Sequence, residues 1–431
     1  VASPVIIFED PGVKNFYPLT LTRPVCGLLC GALTLADKIR LSLKRLGDRE
    51  GSAWAADSFG EPVLLYHVRD HISPLLEGAV RSYGDLIRDS GSALLLNGRA
   101  LITPEMLEAI APARPAAYWA EGAVVAAVCG AEQAAGLDGA IGAPLGTDIL
   151  ADLPSVDIQA PIVKYPWDLL RLNGSQIASD LALIQPRPAR HAPEGVHFVN
   201  ESSISLGENV SLAPGAVLDA SGGPILAEDG VTVMANSSLQ GPLFMGKETI
   251  VKMGARIYGG TSIGPACKIG GEVAETIIQG CSNKQHDGFL GHSYLGEWVN
   301  LGAGTDTSDL KNNYSTVKVD INGEAVDSGE MFVGLFMGDH SKCGIGTTFN
   351  TGTVVGVCCN IFGSGYPPKS IPSFVWGGTG KSEEYDPARA IDTARRVMKR
   401  RGRNLDPKQE ALLREVYEIT SGSRGTFLSG V

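Results

Sequence analysis

The chain has 431 residues, 44% of them apolar, and a formal net charge of −11. That length exceeds one ordinary core and predicts two domains or more, and the acidic balance argues against partners such as DNA, RNA or anionic membranes. No apolar run approaches the roughly 20 residues that cross a bilayer, and the opening "VASPVIIFEDPG" has neither the basic flank nor the apolar stretch of a secretory leader.

In the first half, "PVIIF" (4–8), "EPVLLYH" (61–67), "SALLLNG" (92–98) and "AAYWA" (116–120) read as buried strands. "LTLADKIRLSLKRLG" (33–47), "ISPLLEGAVRSYGDLIRD" (72–89) and "TPEMLEAIAP" (103–112) read as helices. Alternating strands and helices predict an α/β domain with a largely parallel sheet over residues 1–185. "YPWDLLRLNGSQIASDLALI" (165–184) closes it as helix, and the Pro-rich "QPRPARHAPEGV" supplies a linker, 186–194.

From residue 195 apolar or small residues recur in steps of six. The row runs Ile204, Val210, Ala216, then Ile225, Val231, Ser237, Leu243, then Val251, Ile257, Ile263, Ile269. It resumes as Phe289, Leu295, Leu301, Thr307 and as Ile345, Thr351, Val357, Gly363. A period of six fits a parallel β-helix of hexapeptides, three to a triangular coil. It predicts such a domain over 195–380. Residues 308–337 break the period, and Asn322-Gly323 marks a hairpin, so this segment reads as a projecting arm. Residues 381–431 read as a charged helical tail, whose basic cluster (Arg395 to Arg403) is either a solvated face or a phosphate contact. Eight cysteines without a Cys-x-x-Cys pair read as reduced thiols of a cytoplasmic protein.

Chemistry-bearing residues concentrate between 282 and 318. A histidine titrates near working pH and suits a general base. His286 and His292 stand one hexapeptide apart, on adjacent faces of a coil, and so make no short-range pair of metal ligands. Asn300, Asn313, Tyr314 and Lys318 follow, polar groups suited to orienting a sugar and its phosphate. "HDGFLGHSYLGEWVNLGAGT", followed by "NNY" and a lysine, resembles the acyltransferase half of a bifunctional family. These are the N-acetylglucosamine-1-phosphate uridyltransferases that are also glucosamine-1-phosphate N-acetyltransferases. The resemblance implies a left-handed β-helix, an exception to the right-handed crossover rule, a homotrimer, and acetyl-coenzyme A as acyl donor. It implies His286 as catalytic base, with Asn300 at the thioester and its developing oxyanion. Asn313, Tyr314 and Lys318 match substrate and coenzyme contacts, and Arg256, in "GARIYGG", matches a sugar-phosphate ligand. His292 is expected to pack or to support. The implied activity is N-acetylation of a hexosamine-1-phosphate or an amino nucleotide sugar.

The first half is similar to the nucleotide-sugar pyrophosphorylases through "FYPLTLTRPV" and "PWDLLRLN". Such enzymes need a Gly-rich loop for phosphates, basic side chains, and Mg²⁺ held by carboxylate or amide oxygens. This sequence departs from them. "EDPGVKN" has one glycine and Lys14, and Pro24-Val25 replaces Pro-Lys, leaving Arg23 as the nearest base. Gly98-Arg99 stands where the family has Gly-Asp, and an arginine cannot ligate Mg²⁺. Asn97-Gly98-Arg99 is similar to the segment found in a divergent bacterial branch of the family. Lys14, Arg23 and Arg99 are therefore expected at phosphates, with Asp168 and Asn173 as the candidates for a displaced metal site. Two readings stay open: a transferase active in one or both halves, or a catalytically inactive protein that binds a nucleotide sugar and regulates.

Overall fold

The computed structural model describes residues 4–47, 64–110, 114–189 and 191–430. Contacts divide the chain into two compact units. One comprises Val1–Phe16, Arg23–Leu28 and Leu33–Lys164, the other Tyr17–Thr22, Leu29–Ala32 and Tyr165–Val431.

The first unit is built on strands β1 (Val5–Phe8), β2 (Leu64–His67), β3 (Ala93–Asn97), β4 (Ala116–Ala120), β5 (Ala123–Cys129) and β6 (Ser155–Asp157). Their order is β2-β1-β3-β5-β4-β6. The sheet is largely parallel, as expected, but mixed: β5 alone is reversed, antiparallel to both β3 and β4. The cause is local: Glu121 and Gly122 both take positive φ, 50° and 80°, the two-residue turn that folds β4 and β5 into a hairpin. Helices α1 (Leu35–Gly47), α2 (Tyr83–Ser90), α3 (Pro104–Ala109) and α4 (Ala131–Gly139) accompany the sheet. The helix expected over 72–89 is shorter. It begins at Tyr83, where the Ser82 hydroxyl accepts from Asp85 N at 3.1 Å. Upstream, Gly78 O accepts from Tyr66 N at 2.8 Å, and a Cβ on Gly78 would meet Leu64 O at 2.6 Å. Ile6, Phe8, Leu95, Ala127 and Leu137 fill one core of this unit.

In the second unit α5 (Pro166–Ile184) precedes a left-handed parallel β-helix. One face is a sheet of nine strands and another of six, and the third is a run of five followed by four. Val233 pairs with Val251, and Val251 with Ile269, each a coil of eighteen residues further on. The inward row Val233, Leu239, Met245, Val251, Ile257, Ile263, Ile269 keeps the six-residue step without a break. Four blocks deviate from the expected register. The first two, Ile204 to Ala216 and Ile225 to Leu243, stand two residues before the row that Leu206, Leu212 and Leu218 carry into Ala227, Val233 and Leu239. Leu290 points inward in place of the half-buried Phe289. The last block runs Cys343, Phe349, Val355, Ile361, leaving Ile345 82% exposed. The arm carries an antiparallel hairpin, Lys318–Ile321 with Glu324–Asp327, turned at Asn322 and Gly323. The tail forms α6 (Pro387–Lys399), α7 (Pro407–Ile419) and α8 (Ser421–Ser429). Met398 of α6 packs on Cys281 and Trp298. All eight cysteines are buried and unpaired, and no helix among the described residues is long and apolar enough to cross a membrane.

Candidate functional site

His286 occupies the loop between strands Asn283–Lys284 and Phe289–Gly291, where the coil turns from one face to the next. Its ring is exposed, and no described residue hydrogen-bonds it. Beside it Lys284 is buried, and its Nζ donates to the His286 carbonyl at 2.7 Å. Burial pushes this amine down to about 8, against the upward pull of Asp306 and Asp287. A Cβ on Gly271 (φ 70°) would stand 2.7 Å from His286 O and 2.8 Å from Lys284 Nζ, so the corner requires glycine there. The cross-strand row Arg256, Glu272, Phe289 passes alongside, and Arg256 Nη2 lies 3.3 Å from Glu272 Oε2. One corner of the coil therefore gathers His286, Lys284, Asp287, Asp306, Arg256 and Glu272.

Asn300 lies on the adjoining face, bridged to Asn283 on one side and Lys342 on the other. Asn283 Nδ2 donates to Asn300 Oδ1 at 3.1 Å, which leaves the Asn300 NH₂ for another acceptor. Asn283 Oδ1 accepts from Arg401 Nη2, and Arg401 Nη1 donates to Ala266 O at 2.5 Å. The ladder Arg401, Asn283, Asn300 was missed in the sequence, as was Lys284. The signal for it existed: Asn283 precedes Asn300 by one coil of seventeen residues.

Asn313, Tyr314 and Lys318 stand exposed on the arm. Asn313 Oδ1 accepts from Ser315 N at 3.2 Å and from Ser315 Oγ at 3.0 Å. Tyr314 is 69% exposed with φ 56°, and Lys318 faces Asp327 across the hairpin. Among the described residues no hydrogen bond or ion pair joins these three to His286 or Asn300.

His292 is held on both sides. Nδ1 lies 2.8 Å from Asp309 Oδ2 and Nε2 lies 3.3 Å from Glu275 Oε2, and the ring stacks on Phe332 at 5.0 Å. Burial alone would lower its pKa, but the two carboxylates outweigh it and hold the ring up at about 9. An imidazolium donating from both nitrogens cannot act as a base at neutral pH. His292 instead lines a cleft of about 620 Å³ with Tyr258, Phe289, Phe332, Glu272 and Glu275.

In the first unit the carboxyl ends of β1, β2 and β3 carry two buried ion pairs. Arg99 Nε donates to Asp10 Oδ1 at 2.7 Å, Nη2 to Asp10 Oδ2 at 2.5 Å, and Nη1 to Val163 O at 2.6 Å. Arg69 grips Glu9 in the same bidentate way, at 2.9 Å and 3.0 Å. Arg23 contributes its carbonyl to Arg69 Nη2 at 3.1 Å, and Lys14 is exposed on the 3₁₀ turn Pro11–Phe16. Asp168 and Asn173 belong to the second unit. Asp168 caps α5, accepting from Tyr165 N at 3.0 Å. Asn173 is fully buried; its Oδ1 accepts from Gly31 N at 2.7 Å and Ser262 Oγ at 3.0 Å, which uses both lone pairs. Neither keeps the role of displaced metal ligand. Among the described residues no group of three or more Asp, Glu, His or Cys is arranged to hold a metal, and the donor set does not fit Mg²⁺.

The sequence model of a family described as sugar nucleotidyl transferase matches residues 5–187. A bifunctional sugar-1-phosphate nucleotidylyltransferase/acetyltransferase of Sulfurisphaera tokodaii is 35% identical over 91 residues, 21% of this chain and 23% of that protein. The bifunctional protein GlmU of a Synechococcus species is 27% identical over 204 residues, 41% of this chain and 44% of its own length. GlmU of Xylella fastidiosa is 32% identical over 201 residues, 43% of this chain and 40% of its own length. The chain thus spans less than half of each of these relatives.

Proposed function

We propose that this divergent GlmU-like chain, with a sugar nucleotidyl transferase domain over residues 5–187, acetylates a sugar amine in its β-helix. The donor is acetyl-coenzyme A and the acceptor a hexosamine-1-phosphate or an amino nucleotide sugar, both species of the cytoplasm. The observation that carries this reading is the corner at His286: an exposed ring with no bonded partner among the described residues, on a loop pinned from within by Lys284.

The sugar nitrogen attacks the thioester carbon, and His286 takes the proton that the nitrogen sheds. Negative charge then develops on the carbonyl oxygen. The Asn300 NH₂, left open by the bond that Asn283 makes to its other end, donates to that oxygen. Collapse of the adduct expels the coenzyme A thiolate, which takes the proton back from His286. Arg256, two rungs behind Phe289 on the same row, supplies positive charge for the sugar phosphate. Asn313, Tyr314 and Lys318 contribute from the arm of a neighbouring copy in a homotrimer, which accounts for their exposure on their own chain. In the first unit Lys14, Arg23 and Arg99 serve a nucleotide or nucleotide sugar.

The test is release of coenzyme A thiol with a panel of hexosamine-1-phosphates and amino nucleotide sugars. His286→Ala should lower the rate by roughly 10²-fold or more, the scale of a general base. An unchanged rate would reject the assignment.

A further inference from the structure

We propose that the first unit binds a phosphate-bearing ligand without a divalent cation, with the Arg99 guanidinium as the group that meets the phosphate. The inference rests on the nucleotide-binding role proposed for that unit. Its ground is the state of the two carboxylates at the carboxyl end of β1, Glu9 and Asp10, beside Arg99 at that of β3, the edge where open α/β sheets take their ligands.

Both oxygens of Asp10 and both of Glu9 are already spent. Asp10 Oδ1 accepts from Arg99 Nε at 2.7 Å and Gly12 N at 3.0 Å, and Oδ2 from Arg99 Nη2 at 2.5 Å and Asn97 Nδ2 at 2.9 Å. Glu9 Oε1 accepts from Val25 N at 2.9 Å and Arg69 Nη2 at 3.0 Å, and Oε2 from Arg69 Nε at 2.9 Å and Arg69 N at 3.3 Å. Four oxygens thus carry two donors each. A cation could ligate them only by breaking a buried bidentate pair, which leaves an arginine uncompensated.

Arg99, by contrast, has donors to spare. Three of its five N–H groups are used, two on Asp10 and one on Val163 O. The remaining two belong to a side chain only 7% exposed, where an unmet donor is costly. The guanidinium also lies against the loop itself: a Cβ on Gly12 would stand 2.7 Å from its Cζ and 2.8 Å from Nη2. Glycine at that position makes room for arginine at the place where a phosphate loop would otherwise rely on backbone N–H groups and a metal. Two parallel N–H donors of a planar guanidinium match two phosphate oxygens. Because Asp10 already offsets its charge, Arg99 supplies directed donors more than net charge.

The experiment is calorimetric titration of the full chain with UTP, dTTP and UDP-N-acetylglucosamine, in EDTA and again in excess Mg²⁺. Binding of at least one probe with a Kd unchanged within about twofold between the two conditions supports the proposal. Arg99→Gln should weaken that binding by about tenfold or more, the scale of a lost charge-assisted hydrogen bond. Should that variant misfold around an unpaired Asp10, Asp10→Asn combined with Arg99→Gln removes both charges and should show the same loss, with folding checked by circular dichroism. Binding that appears only with Mg²⁺ would overturn the inference while leaving a nucleotide site in place. Wild-type affinity in either variant would take the phosphate off Arg99 and overturn it as well. No binding of any probe in either condition would overturn both the inference and the nucleotide role beneath it.

Discussion

His286 and His292 lie six residues apart and meet different surroundings: an open ring beside a buried lysine, and a ring clamped between Glu275 and Asp309. The sequence shows the spacing but not the clamp. Glu275, His292 and Asp309 follow one another at seventeen residues, one coil each, in a region where the regular eighteen-residue coil has shortened and the six-step row has been reset. A period read from undisturbed coils does not reach across that reset. The clamp has a consequence in pH. The folded pKa of His292, about 9, lies above its ordinary 6.5, so folding favours the imidazolium. That contribution is complete below pH 6.5 and is lost as pH rises through about 9. Lys284 drifts the other way, its folded value of about 8 lying below 10.5. The measure to use is therefore a difference: the gap in urea stability between wild type and His292→Gln should narrow steadily across the first window. A gap independent of pH would show that folding does not raise the pKa of the ring.

At the scale of elements, hexapeptides were legible because each inward residue is chosen by the same local geometry, repeated coil after coil. What escaped was decided by partners far along the chain. Ile345 satisfied the period on paper, yet Cys343 faces the core with Phe349 and Val355, because the returning coil after the arm enters two residues earlier. The β4–β5 hairpin was hidden behind an unremarked Glu-Gly pair. The basic cluster at the end of α6 reads from sequence as a solvated face or a phosphate contact, and Arg401, just past the helix, holds Asn283. A helix that reaches back to orient an asparagine is a positioning device, and it can be separated from bulk stability. Asn283→Ala and Asn283→Asp both remove the donor to Asn300, while the aspartate keeps an oxygen for Arg401. Both should lower kcat for acetyl transfer by about ten- to a hundredfold, the scale of a misplaced reacting group, with KM for acetyl-coenzyme A little changed. If both keep the wild-type kcat, Asn300 is not held in place by this ladder.

The molecule as a whole joins a mixed α/β unit to a solenoid whose coils touch mainly their neighbours. In such a column a site needs groups from beyond one chain when its own coils present a single face. The arm residues Asn313, Tyr314 and Lys318, exposed and without a hydrogen bond or ion pair to their own His286 among the described residues, fit that need. Light scattering at micromolar concentration should give a mass near three times that of the 45.2 kDa chain, and a monomer would remove the shared site. The buried cysteines carry a different consequence. Burial pushes Cys129 and Cys267 up to about 12 and Cys359 up to about 11, so these thiols stay protonated and out of reach of electrophiles. Cys26 and Cys129 belong to the first unit, and Cys267, Cys343 and Cys359 line the solenoid's interior. Each sulfur becomes reactive only when its own surroundings part, so the two halves carry separate, native stopwatches for their breathing, and no probe has to be added to read them.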